Sequence, residues 1–396
     1  MFKISWIEKL SFIFFSISLA FGVFNPFSNN SEDINGLSYY ATIILILAGA
    51  VIRPTQIISF IIKSNIKYLL LFFIFFTTST LIYGNAHFSN KPIINIKLLA
   101  NLVLFFYLVF YFTNDYKLLI NSLFIYTITT IGLMSLWYIG IFDNVSFVSK
   151  GRLTLFGDNA NSISTRVAIA AIFIPYFVYK NPLWFKKWRY TLLVFLPILL
   201  LFVIKSGSRG TFISLIFSLL VMLYYSNISS YWKISIFGLL ATFSILIFPY
   251  MQQQEVIMSR MQETLAEGDI GGRVSIWVDS LTIFMQNPLF GVGENGFIDE
   301  MYIQFRYYKD THNLFIYLLA SGGIISFILY LNFILKILRA NLLALQKNDS
   351  MPFVISIFIL LVAAKTGGAI TYIILYYLLA WSYSLSIHNI NQRIIN

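Results

Sequence analysis

No cysteine occurs in the 396-residue chain. Its absence excludes disulfides, zinc thiolates, iron–sulfur clusters and thiol catalysis. Histidine is nearly as scarce, with only His87, His312 and His388. Asp299 and Glu300 have no third acidic or imidazole partner at useful spacing, so the sequence offers no evident metal ligand set. No Gly-rich phosphate loop, serine nucleophile elbow or HExxH pair occurs either. Charged residues make up only 11% of the chain, whereas a soluble domain carries about a quarter. A soluble globular protein, a disordered chain and a disulfide scaffold are all excluded on these grounds.

What the chain has is apolar surface: 58% of residues are hydrophobic, with 40 Phe and 25 Tyr. A transmembrane helix uses about 20 apolar residues, so roughly twelve fit. The expected fold is an all-α integral membrane protein, a single polytopic domain over residues 1–396. Twelve candidate spans run near Leu10–Phe24, Leu37–Ile52, Tyr68–Tyr83, Leu98–Phe112, Leu118–Ile141, Ile163–Tyr179, Thr191–Ile204, Thr211–Tyr225, Lys233–Phe248, Asn313–Leu335, Pro352–Ala364 and Gly367–Ile387. Only Lys365 and Thr366 separate the last two, which leaves open one broken helix or a re-entrant pair. Lys3 and Lys9 precede the first span, and Ser18-Leu19-Ala20 lies near its end; we read it as an uncleaved anchor, not a signal peptide.

The net charge of +11 points to membrane orientation and not to nucleic acid. With the N-terminus inside, about 15 of the 27 Lys and Arg residues fall in inside segments, opposed only by Glu8, Asp115 and Asp349. The expected topology is therefore N-in and C-in. It puts one long loop outside, residues 249–311. Val256, Ile257, Met261 and Leu265 recur there at helical spacing, as do Val274, Trp277, Leu281 and Phe284, which predicts short amphipathic helices. Asn287-Pro288 should end the second of these. A flexible turn is expected over Gly291–Gly296 and a third helix over Phe297–Tyr308.

Ionisable groups at membrane depth are expensive and mark function by default. Three segments on the outer side qualify. Lys205-Ser206-Gly207-Ser208-Arg209-Gly210 lies between two apolar runs, where a serine hydroxyl can cap the next helix and Arg209 falls at its start. An arginine beside a helix N-terminus suits an anion. Gly271-Gly272-Arg273 opens the helix that carries Trp277. Asp310-Thr311-His312-Asn313 begins the tenth span, with Asp310 or Thr311 as N-cap and His312 in the first turn, where the helix dipole favours neutral imidazole. The residues alone leave open interfacial anchoring for Arg209 and His312, and a plain surface charge for Arg273. His87 and His388 read as loop and tail residues.

Together these segments resemble the O-antigen ligase and O-antigen polymerase superfamily. The resemblance rests on Ser208-Arg209-Gly210, on Gly272-Arg273 followed by Trp277 and Asn287-Pro288-Leu289-Phe290-Gly291-Val292-Gly293, and on His312-Asn313 followed after nine residues by Gly323. Ser326 stands where the family often has Gly, Thr or Tyr. The motifs lie between about residues 205 and 330, while the architecture agrees over the whole chain, including one long late periplasmic loop. The resemblance implies a cofactor-free and metal-independent glycosyltransferase of the bacterial inner membrane, facing the periplasm. It would move a preassembled glycan from undecaprenyl diphosphate to an acceptor hydroxyl, with no nucleic acid involved. By the same resemblance Arg209, Arg273 and His312 are the catalytic candidates. Lys205, Arg306, Glu294 and Asn313 are candidates for binding the diphosphate or glycan. The His-Asn pattern favours ligation of O-antigen to lipid A–core in lipopolysaccharide biosynthesis over polymerisation of lipid-linked repeat units; a protein acceptor is a smaller alternative. A polysaccharide or lipid flippase is the competing class, but the chain has no internal repeat and its notable charges gather at one face.

Overall fold

The computed structural model describes residues 4–22, 36–64, 66–83, 95–142, 146–149, 152–156, 158–180, 188–226, 233, 273–365 and 370–391. Its helices are α1 (Trp6–Phe21), α2 (Leu37–Ile52), α3 (Pro54–Lys63), α4 (Tyr68–Tyr83), α5 (Ile96–Asn114), α6 (Tyr116–Tyr138) and α7 (Ala160–Lys180). A 3₁₀ segment, Trp188–Phe195, runs into α8 (Leu196–Lys205), followed by α9 (Arg209–Tyr225), α10 (Arg273–Gln286), α11 (Gly293–Phe305), α12 (Leu314–Gln346), α13 (Met351–Lys365) and α14 (Ile373–Asn391). The remaining element is a hairpin, β1 (Ser146–Ser149) paired antiparallel with β2 (Arg152–Leu155).

Among the described residues four helices, α5, α6, α7 and α12, are long and apolar enough to cross a membrane, or five if α2 and α3 form one broken span. Shorter apolar helices include α4, α9 and α13. The protein is thus an α-helical membrane protein with a single small hairpin. Of the twelve expected spans, the one over 233–248 lies almost wholly outside the described residues, as does 249–272 of the long loop.

Helix α14 is central: it packs against α5, α6, α12 and α13. Its wall is aromatic, with Tyr376, Tyr377 and Trp381 all buried, and Trp381 meets Phe173 edge-on at 5.1 Å. Small hydroxyls close the seams. Ser356 and Ser382 share a 2.9 Å hydrogen bond between α13 and α14, and Asn341 of α12 donates to Ser356 at 2.7 Å. In lipid, such groups must find partners within the protein. Among the alternatives for the last two spans the packing excludes one broken helix: α13 and α14 lie against each other.

Two elements differ from expectation. The segment after α2, expected to be an inside loop, forms α3, which leaves α2 at 101°. Pro54 sits at its first position, where the missing N–H costs nothing, and only Ile57 is buried. The hairpin before α7 is also new; it lies within a stretch too short and polar to carry a spanning signal.

Candidate functional site

The motif-bearing helices are joined by an interruption in α12. Gly323 takes φ 66° and ψ −176°, a conformation reserved for glycine. The break releases two backbone N–H groups, and the 287–293 turn takes them up. Ile324 N–H donates to the Pro288 carbonyl at 2.8 Å, and Ile325 N–H to that of Leu289 at 3.4 Å. In return Val292 N–H donates to the Ala320 carbonyl at 3.2 Å. A Cβ on Gly323 would collide with the Leu289 carbonyl, and one on Gly291 with the Ser321 backbone. Ser79 of α4 donates to the Phe290 carbonyl from the other side. The glycines of this turn are therefore contact points, and α11 begins at Gly293. The sequence instead suggests a flexible turn reaching Gly296, because glycine's contact role cannot be told from its freedom without the partner strand of backbone.

Helix α10 ends at Gln286, as Asn287-Pro288 predicts. Its buried face is Ile276, Ser280 and Ile283, not the expected row, of which Val274 and Leu281 are exposed. Trp277 Nε1–H donates to the Thr311 carbonyl at 2.9 Å. Tyr307 O–H donates to the Asp279 carboxylate at 2.5 Å, and burial followed by that carboxylate pushes the phenol up from its ordinary value. These two bonds fasten the 306–313 segment to α10, so that Arg273 and His312 come into electrostatic contact.

The start of α12 lies one residue later than expected. Asn313 is the N-cap, its Oδ1 accepting from Phe315 N–H at 3.0 Å and Ile316 N–H at 3.2 Å. His312 thus stands just outside the helix, with φ 49°, and Thr311 braces the cap by accepting from Asn313 N–H at 3.2 Å. Asn wins the cap because its carboxamide reaches two amides at once. The His312 imidazole is held below its ordinary value. The protein packed around the ring contributes most; Arg273 and Lys309 add repulsion, and Asp310 opposes them. The residue keeps an exposed side, so a neutral imidazole is reachable from solvent.

Arg209 opens α9 with Ser208 at the N-cap. The expected serine cap does not form: Ser208 O–H donates to the Thr211 hydroxyl at 2.9 Å instead of serving a backbone amide. Helices α9 and α13 pack antiparallel, with Tyr225 at the end of one touching Phe353 at the start of the other. Arg209 is therefore level with Lys365 at the end of α13, and the Lys365 carbonyl accepts from Arg273. Both arginines and His312 lie at one end of the bundle. The start of α7 joins them there through Thr165 and Thr211, whose hydroxyls are 3.3 Å apart. Arg152 of the hairpin supports the preceding turn by donating to the Ser206 carbonyl at 3.1 Å.

The four remaining candidates are placed as follows. Lys205 ends α8 with its ammonium 5.6 Å from the Trp137 ring centre, a cation–π distance. Glu294 accepts from Asn95 Nδ2 at 2.5 Å, and its N–H donates to Thr80 at 3.1 Å, which clasps α11 to α5 and α4. Asn313 is the helix cap just described. Arg306 is the exposed, left-handed C-cap of α11. Sequence reasoning did not identify Arg152, nor the buried ion pair of Arg166 with Asp158. Arg166 had a signal, being the only ionised residue between the first and last residues of α7; its partner Asp158 had none. Among the described residues no three His, Asp or Glu side chains are grouped to hold a metal ion.

No curated protein matches the chain. A family model described as O-antigen ligase matches residues 192–331, the stretch from the 3₁₀ segment before α8 to the middle of α12, and that match supports the O-antigen ligase superfamily for this chain.

Proposed function

We propose that the protein is an inner-membrane glycosyltransferase that moves a preassembled glycan from undecaprenyl diphosphate to an acceptor hydroxyl at the periplasmic face. Its placement rests on the twelve-span, N-in topology, which puts the Arg209, Arg273 and His312 end outside. The observation that carries the reading is the gathering of Arg273 and a neutral, accessible His312 by two hydrogen bonds, within the segment that matches the family model. In the transfer the acceptor oxygen bonds to the anomeric carbon. The bond from that carbon to the diphosphate oxygen breaks, and the diphosphate departs with the electron pair. Arg209 and Arg273 stabilise the charge gathering on the leaving group, as preorganised donors do. No metal ion is needed for that task. The proton of the acceptor hydroxyl passes to the unprotonated nitrogen of His312.

The His312-Asn313 pair favours ligation to lipid A–core over polymerisation. Lys205 and Arg306 are secondary diphosphate ligands in this reading, while Glu294 and Asn313 act by holding α11 and α12 in place.

The test is Arg209→Lys and Arg273→Lys in purified, reconstituted protein. Each keeps the charge but loses the two-pronged planar donor. Transfer from lipid-linked glycan should fall at least about tenfold in each, at unchanged protein level, since a charge-assisted hydrogen bond is worth about 1.5–3 kcal/mol. Full activity in both variants, or activity abolished by chelation and restored only by a divalent cation, would refute the reading.

A further inference from the structure

A cavity lies at the same end of the bundle as Arg209, Arg273 and His312, none of which lines it. It measures about 180 Å³ and is lined by Tyr39, Lys97, Asn101, Ser162, Arg166 and Tyr372, with backbone and apolar side chains between them. An apolar cavity of about 150 Å³ takes one benzene, so this one suits a single ring-sized group.

Its chemistry is that of an anion site. Arg166 is 5% exposed and its guanidinium points at the cavity wall formed by Gly22, where a Cβ would occupy the guanidinium's own place. The Ser162 hydroxyl accepts from one outer nitrogen of Arg166, and the Asp158 carboxylate forms an ion pair with the other. Its Nε is buried without a hydrogen-bond partner among the described residues. Asp158 offsets the Arg166 charge, and Lys97 brings a second cation to the lining, its ammonium 6.0 Å from the Tyr39 ring centre. Four helices, α2, α5, α7 and α14, begin around the cavity, and each start carries partial positive charge. The two tyrosine rings, the Ser162 hydroxyl and the Asn101 amide, which also donates to the Thr371 carbonyl at 2.8 Å, are the mixed aromatic and polar lining of a small-molecule pocket.

We infer that this cavity binds one sugar ring bearing an oxyanion, a uronic acid or a sugar phosphate, as a glycan subsite apart from the reacting centre. That the sugar belongs to a transferred or receiving glycan rests on the function proposed above; the binding itself does not.

The test uses full-length protein in nanodiscs and four soluble probes: glucuronate, glucose 1-phosphate, glucose and inorganic phosphate. Saturation-transfer NMR should detect the two anionic sugars and give much weaker signals for glucose. Lys97→Gln should weaken both anionic sugars about tenfold or more, Tyr39→Ala should weaken them as well, and Arg273→Lys should leave them unchanged. Equal binding of glucose and glucuronate, or of phosphate and glucose 1-phosphate, would overturn the proposal. So would loss of binding in Arg273→Lys, which would seat the probes at the reacting centre. In transfer assays with acidic glycans, Lys97→Gln should raise KM for the donor if the donor's sugar occupies the cavity, and for the acceptor if the acceptor's does. An unchanged KM for both would contradict a glycan subsite. Because the NMR arm needs no turnover, failure of the proposed transfer would leave it readable.

Discussion

Both ends of the helix bundle bury an ion pair, Glu8 with Arg53 at one and Asp158 with Arg166 at the other, but they differ in what else they present. At the end formed by the start of α1 and the end of α5, Glu8 is fully buried and accepts from Ser5 N–H at 2.6 Å, Arg53 Nε at 2.8 Å and the Tyr111 hydroxyl. The same end holds Asn389 on Asp349 at 2.7 Å and Lys347 on the Ile390 carbonyl at 3.2 Å. Arg53 and Glu8 cancel each other, and the result is a joint between α1, α2 and α5. At the far end Arg273 donates to the Lys365 carbonyl, which orients the guanidinium. His312 is exposed there in a left-handed conformation. Charge near a helix end is thus not a functional mark by itself. What separates Glu8 from His312 is whether solvent can reach the group.

Breaking the closed end should cost stability and spare chemistry. Arg53→Ala leaves the Glu8 carboxylate buried without its cation, which should lower stability by about 3–5 kcal/mol. Thermal unfolding in detergent would show the loss, while transfer per folded molecule stays near normal. A collapse of turnover in protein that remains folded would erase the distinction between the ends.

At the open end Gly323→Ala should give a mixed result. Placing alanine in a glycine-only conformation costs about 1–3 kcal/mol, and the Leu289 carbonyl blocks the new Cβ. Both stability and transfer should fall, because the joint that sets α10 against α12 opens. Normal transfer in this variant would show that the α12 break does not place Arg273 and His312. Asn313→Ala removes a cap worth about 1 kcal/mol, and unfolding measurements should find a loss of that size with a mild effect on rate.

The smallest effect concerns pH. In the proposed mechanism neutral His312 is the working form, so transfer should fall as pH drops through its folded pKa, which lies below the ordinary value of 6.5. Asp310 holds that pKa up. Asp310→Asn should therefore move the acid limb of the pH–rate profile to lower pH. A shift to higher pH, or none, would separate the acid limb from His312.

Much of this architecture is legible in the residues themselves. Apolar runs bounded by polar residues gave most helix positions, and Asn287-Pro288 marked the end of α10, because these signals are local. Other features needed partners distant in sequence. The Gly323 break is visible only once the 287–293 turn supplies carbonyls to it. The clasp of Glu294 on Asn95, 199 positions away, likewise has no local signal. The cap of α12 falls on Asn313, whose carboxamide reaches two backbone amides, while the Thr311 carbonyl is held by Trp277 of α10. Arg209, Arg273 and His312 are candidates in the sequence because each stands at or beside a helix start next to an apolar run; that they share one end follows from the packing of α9 against α13 and the Arg273 bond to the Lys365 carbonyl.

The most direct test of the account is His312→Ala in purified protein reconstituted with a lipid-linked glycan donor and separate candidate acceptors. General base catalysis is worth about 10²–10⁴-fold, so covalent transfer should fall by that order while donor binding, assigned to the arginines, is largely retained. A near-normal transfer rate, or translocation of the lipid-linked glycan with no covalent transfer in the unmodified protein, would contradict it.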